Sequence, residues 1–183
     1  MDHRDHYARA QRNLLDLVAS LTDDQLAIST PCEGWTVADL LGHIIEVADG
    51  FTIAFTGADV ESSTTDPRER YREAAASALS SVADDAVLDS LSTFGGSTRP
   101  GWVRISFGFA DTLVHTWDIA RSTGNAAVID PELVNAALAV VAVIPDEARG
   151  PGRPFAAIVP VPDDAGELDR LLATSGRSPA WSA

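Results

Sequence analysis

Three side chains of metal-ligating type stand in two apolar stretches of this chain: His43 in one, Asp111 and His115 in the other. An acid and a histidine four residues apart share one face of a helix, so both can grip a single ion. With His43 from a second helix they make a two-histidine, one-carboxylate set. Three protein ligands leave one coordination position open to water or substrate, the pattern of a catalytic rather than a closed structural site. Asp118, one turn after His115, is either a further ligand or a carboxylate that orients an imidazole from behind. Glu46, one turn after His43, has the same two readings. The plainer alternative for each histidine is a hydrogen-bonded core residue, and for each acid a satisfied polar group at a bundle edge.

The helix that must carry the second pair is expected from about Trp102 to a stop at Gly124, with Arg121 in its last turn. Most positions from Trp102 to Ala120 are apolar, which predicts burial around most of the girth. The exceptions gather on a stripe: at about 100° per residue, Asp111, His115 and Asp118 fall within about 60° of one another, with Arg104 and Ser122 on the same side. Such a stripe either faces solvent or lines an interior cleft. Buried carboxylates are expensive unless paired, so a cleft calls for a metal or a counter-charge. Arg104 is read either as attracting a substrate carboxylate or as a solvated residue near the helix start.

His43 belongs to a helix opened by Thr36 as N-cap, with Asp39 three residues on, and running to about Thr56. Val37, Leu41, Ile44, Ala48, Phe51 and Phe55 form its packing seam, and His43 lies on the flank of that seam. A first helix is expected from about Asp5 to Leu21, and a third from about Pro67 to Leu91. Phe94 to Gly101 reads as a flexible link. A further helix spans about Pro131 to Ile144 and a last one about Ala165 to Thr174, with proline-punctuated extended chain between them. No segment reads as a paired strand, since prolines bracket Ala156 to Val161. The pattern predicts an all-α protein: an up-and-down four-helix bundle with extra C-terminal helices and an extended proline-rich wrap. Residues 1–183 are expected to form one domain, with a bundle core over 1–124 and the wrap over 125–183.

The remaining chemistry-bearing residues have simpler expectations. His3 and His6 lie near the chain end and are expected to be solvated. Cys32 is the lone thiol, so no internal disulfide can form, and a structural role is its expected one; a nucleophilic role would need a depressed pKa. Trp35, Trp102 and Trp117 read as core fillers, one of them able to form a pocket wall. A net charge of −14 argues against a nucleic-acid-binding surface and against docking on anionic membranes. The polar N-terminus and the lack of a long apolar run predict a cytoplasmic protein. Oligomeric state stays open, with a homodimer compatible with flat apolar helix faces.

Two motifs carry a resemblance. Thr30-Pro-Cys-Glu-Gly-Trp-Thr-Val-Ala-Asp-Leu-Leu-Gly-His43 resembles the segment leading to the first metal-ligating histidine of the mycothiol-dependent maleylpyruvate isomerase N-terminal domain family, part of the DinB-like four-helix-bundle superfamily. Asp111-x-x-x-His-x-Trp-Asp-Ile-Ala-x-x-x-Gly124 is similar to its second signature. The ending Asp169-Arg-Leu-Leu-Ala-x-x-Gly-Arg-x-Pro-x-Trp181 resembles a single-domain, metal-binding branch. The resemblance implies a DinB-like bundle with a divalent ion, commonly zinc, on His43, Asp111 and His115. The isomerase carries Glu where this chain has Asp111. It also uses a second domain that these 183 residues do not include, so maleylpyruvate isomerisation itself is not implied. The implied activity is thiol transfer or thiol-assisted isomerisation. A low-molecular-weight thiol such as mycothiol would be activated as thiolate for attack on a small electrophile. The competing expectations are a non-catalytic metal-binding or stress-associated bundle and a metal-dependent hydrolase.

Overall fold

The computed structural model describes residues 3–94, 96–153 and 155–183. Helix α1 spans His3–Ala19 and α2 spans Val37–Thr56. The start of α2 is fixed by a reciprocal capping box. The Asp39 amide donates to the Thr36 hydroxyl, and the Thr36 amide donates to the Asp39 carboxylate at 2.8 Å. It ends at Gly57, whose φ of 69° closes the helix in the left-handed region. Helix α3, Pro67–Ser81, starts on an Asp66 cap with proline in its first turn. A short α4, Ala86–Asp89, leads into two strands, β1 (Leu91–Phe94) and β2 (Ser97–Pro100). Helix α5, Gly101–Thr123, stops at Gly124; α6 is Pro131–Val141 and α7 is Glu167–Thr174.

The four long helices close on one another. α1 packs against α5 and α3, and α2 packs against α3 and α5. Tyr7, Phe51, Phe109, Leu113 and Leu133 belong to one apolar cluster; Leu14, Leu40, Leu41, Tyr71 and Ile119 belong to a second. A buried polar relay runs between the helices: the Tyr71 hydroxyl donates to the Gln11 side-chain carbonyl, and the Gln11 amide donates to Thr112 at 3.4 Å. Outside the ring, α6 packs on α5 and α7 packs on α6. Arg149 staples this outer layer. Its guanidinium donates to the carbonyls of Val141 and Thr174, at the C-terminal ends of α6 and α7, where a cation is favoured. Among the described residues no helix is long and apolar enough to cross a membrane.

Gly108 sets how closely α2 and α5 approach. A Cβ at this position would lie 2.4 Å from the Phe51 ring. Gly108→Ala is therefore expected to destabilise the fold by about 1–3 kcal/mol through overpacking, despite the better helix propensity of alanine. Urea denaturation checks this; an unchanged or raised midpoint would show that Phe51 yields freely.

Several expectations are corrected. α3 stops at Ser81 instead of continuing to Leu91. The Asp84 carboxylate accepts from the Ala86 amide and starts a separate turn of helix, an Asx motif that competes with helix continuation. Phe94 and residues 97–100, expected in a flexible link, lie in paired strands, while Gly95 of that link lies outside the described residues. β1 and β2 pair antiparallel, from Leu91 opposite Pro100 to Phe94 opposite Ser97. His6 is buried against Phe109 at 5.2 Å instead of solvated, because α1 lies along α5 from its first turn. Trp35 and Trp102 are not core fillers: they are 37% and 46% exposed.

Candidate metal centre

α2 and α5 bring His43, Asp111 and His115 together. His43 Nε2 lies 3.6 Å from Asp111 Oδ2, and His115 Nε2 lies 3.3 Å from Asp111 Oδ1. One ligand atom from each of the three falls within 4.8 Å of the others. The two imidazoles meet edge to face, with ring centroids 5.1 Å apart. Asp111 Oδ2 is buried and has no hydrogen-bond partner, so its lone pairs are available to a cation. Two imidazole nitrogens and one carboxylate oxygen are a donor set that suits zinc. The residues present therefore fit a divalent ion.

A second layer sits behind the triad. The fully buried Asp118 carboxylate lies 2.9 Å from His115 Nδ1. With Nδ1 donating to that carboxylate, Nε2 is left facing Asp111 and the cavity. Arg177, from the turn after α7, donates to Asp118 at 3.1 Å and to the Cys32 sulfur at 3.3 Å. Cys32, His115 and Asp118 form another cluster of ligand-type atoms. The guanidinium among them already supplies its positive charge, so a second ion there would meet repulsion.

The electrostatics follow from this packing. Burial opposes ionisation of Asp111, but the His115 charge, its hydrogen bond and the nearby His43 outweigh burial and hold the carboxyl well below its usual range. Burial likewise works against a proton on His115, yet Asp111 and Asp118 together raise its affinity for one. Asp118 is held low against its own burial by His115 and Arg177. Arg177 is raised against its burial, chiefly by Asp118.

The triad opens on a cavity of about 900 Å³. Trp35 forms one wall, with its ring 5.3 Å from that of His43. Arg104 and Phe107 from α5, Phe94 from β1, and Phe155 from the C-terminal segment line it further. Glu46 is exposed and outside this lining, so its side chain is neither ligand nor support.

Residues 7–120 match the family described as mycothiol maleylpyruvate isomerase N-terminal domain. The chain belongs to this family. Two uncharacterized proteins of Mycobacterium tuberculosis, from strains CDC 1551 / Oshkosh and ATCC 25618 / H37Rv, are each 33% identical over 186 residues, covering 97% of this chain and 99% of theirs. Crystal structures of mycothiol-dependent maleylpyruvate isomerase, as a histidine-to-alanine mutant and without that mutation, share the helical fold at TM-scores of 0.60 and 0.57. Their identity is 12%, over 76% of this chain and 66% of the isomerase.

The matched stretch of this family member, 7–120, holds His43, Asp111, His115, Asp118 and Cys32 but not Arg177. Sequence reasoning gave Arg177 no role, although it stands in the Gly176-Arg177 pair of the C-terminal motif. Only the proximity of that segment to α5 reveals its contact with Asp118, 59 residues away. Cys32 was expected to be structural; its sulfur contacts both Arg177 and Asp118 at the inner edge of the cavity.

Proposed function

We propose that this protein is a metal-dependent, thiol-using enzyme, an S-transferase or thiol-assisted isomerase acting on a small electrophile. The observation that carries this reading is the convergence of His43, Asp111 and His115 within 4.8 Å on the wall of an open cavity. Membership of a family described by its mycothiol-linked isomerase, and the fold shared with mycothiol-dependent enzymes, support mycothiol or a related thiol as co-substrate.

His43, Asp111 and His115 would hold a divalent ion such as zinc. When bound, it supplies Lewis acidity that lowers a thiol's pKa and keeps the thiolate available at neutral pH. The chain's own residues do the rest. Asp118 fixes the orientation of the His115 ring, and Arg177 fixes Asp118. Trp35, Phe107 and Phe155 exclude water from part of the cavity. The thiol gives up its proton to solvent, and its sulfur forms a bond to the electrophilic carbon. In transfer, a leaving group departs with the bonding pair. In isomerisation, the sulfur adds to a conjugated carbon–carbon double bond, whose π pair moves onto the adjoining carbonyl; the bond, now single, rotates, and return of the pair re-forms the double bond and expels the thiolate.

Metal analysis of the purified protein, followed by calorimetric titration of the zinc-loaded form with mycothiol, tests this. About one metal per chain and saturable heat with the thiol are expected. A metal-loaded protein that gives no heat with mycothiol refutes the thiol reading. Turnover of a model ester in the absence of thiol would move the assignment to hydrolysis by bound water.

A further inference from the structure

The cavity holds a second polar feature away from the triad. Arg104 sits two turns before Asp111 on α5, and its half-buried guanidinium lines the same cavity. It stacks over the rings of Phe51 at 5.3 Å and Phe94 at 5.7 Å. Its hydrogen bonds, to the Ser92 hydroxyl and the Thr93 carbonyl, are both long, at 3.3 Å. Its Nε is buried with no partner. Among the described residues no carboxylate pairs with it, in a chain that carries 27 acids against 13 basic residues. Burial pulls its pKa down, and the neighbouring Tyr7 offsets this only in part. A half-buried arginine with two long hydrogen bonds, an unpartnered Nε and none of the protein's described carboxylates beside it leaves its charge for a ligand.

The ground between this cation and the triad is apolar. Arg104, Gly108, Asp111 and His115 follow at steps of four, three and four, so they share one stripe of α5. Gly108 presents backbone alone to the cavity, with the Phe51 ring packed against it. Phe94 and Phe107 pack on each other, with ring centroids 5.9 Å apart, and form an aromatic wall beside the stretch. Seven residues of helix separate Arg104 from Asp111 by about 10 Å along the axis. Gly50, on the facing helix, makes room for the guanidinium: a Cβ there would lie 2.9 Å from Arg104 Nη2.

We infer that Arg104 is the anion-recognition residue of this cavity, and that the electrophile is an elongated monoanion. Its carboxylate pairs with Arg104, its apolar or aromatic body lies over the Phe51 ring and beside Phe94 and Phe107, and its reactive carbon lies at the His43, Asp111 and His115 end. This deepens the proposed function and rests on it for the word electrophile, but the anion subsite itself can be measured without turnover.

The probes are unreactive: 4-phenylbutyrate and its uncharged partner 4-phenylbutyramide, titrated calorimetrically into the protein before and after removal of metal by chelation. The native chain is expected to prefer the acid by about tenfold, the scale of one charge-assisted pair at a partly screened site. The preference should survive chelation, fall to within twofold in Arg104→Gln, and fall only partly in Arg104→Lys, which keeps the charge but loses the planar fork. Equal affinity for acid and amide overturns the assignment, as does binding of neither probe at millimolar concentration. A preference that vanishes on chelation would place the anion on the metal instead. One that persists in Arg104→Gln would place it on another cation. If Arg104→Gln fails to fold, the partial loss in Arg104→Lys decides the question. Failure of the metal or thiol reading would leave the chelated-protein comparison intact, so the two failures are distinguishable.

Discussion

Replacing His115 by alanine is expected to remove stoichiometric divalent-metal binding while leaving the bundle folded. Structural zinc sites with four ligands hold their ion with about 10–16 kcal/mol, so losing one ligand weakens affinity by a hundredfold or more. The fold should tolerate the change because the imidazole borders the existing cavity, so no sealed void is created. Asp118 also keeps its pairing with Arg177. His6→Ala is the matched control: His6 is also buried, but it packs on Phe109 and lines no part of the cavity. Metal content after dialysis, zinc competition against a chromogenic chelator and far-ultraviolet circular dichroism read the outcome. Full metal retention by the His115 variant would eliminate the site. Equal loss in the His6 variant would show that the ion responds to bundle integrity and not to a ligand.

What could be seen in advance divides by the range of the interaction that fixes each feature. The start of α2 was legible because Thr36 and Asp39 lie three residues apart and satisfy each other locally. The stop of α5 was legible because Gly124 adopts φ of 72°. The nearness of His43 to Asp111 and His115 was approachable from periodicity and a family resemblance, since each lies at a definable angle on its helix. The hairpin of β1 and β2 was hidden, because its strands are short, mostly exposed and without an alternating apolar pattern. It gains its place from α4 and α5, against which its ends are held: the Gly101 amide donates to the Ser90 carbonyl at 2.7 Å. His6 was misjudged by nearness to the terminus, although it continues the Ala10 and Leu14 stripe of α1 at four-residue steps, a signal that was present. Arg177 stood in the C-terminal motif with no local signal of a role. Its partner is 59 residues away, and an arginine in a polar turn reads the same whether it faces water or a buried carboxylate.

Asp118→Asn should show how much that long-range contact matters. Asp118 is fully buried and faces His115, Arg177 and Cys32 together. Asparagine keeps the shape and one acceptor oxygen but removes the charge that offsets Arg177, whose own side chain is only 17% exposed. Breaking a buried pair by neutralising one partner costs about 3–5 kcal/mol, and the retained acceptor places this variant near the lower figure. Urea denaturation of the metal-free protein measures that loss apart from any effect of the ion. Arg177→Met alone should also destabilise, by leaving the carboxylate without its cation. The double variant, Asp118→Asn with Arg177→Met, should cost less than the sum of the two by about 1 kcal/mol or more, since neither charge is then left unpaired. A second consequence concerns the imidazole. Without the carboxylate on Nδ1, the ring loses what fixes its tautomer and orientation, so zinc affinity should fall by about 10–100-fold even where the variant is folded. If Asp118→Asn unfolds within 1 kcal/mol of the native chain and binds zinc equally well, the layer behind the triad is packing alone, and the C-terminal segment has no part in the metal centre.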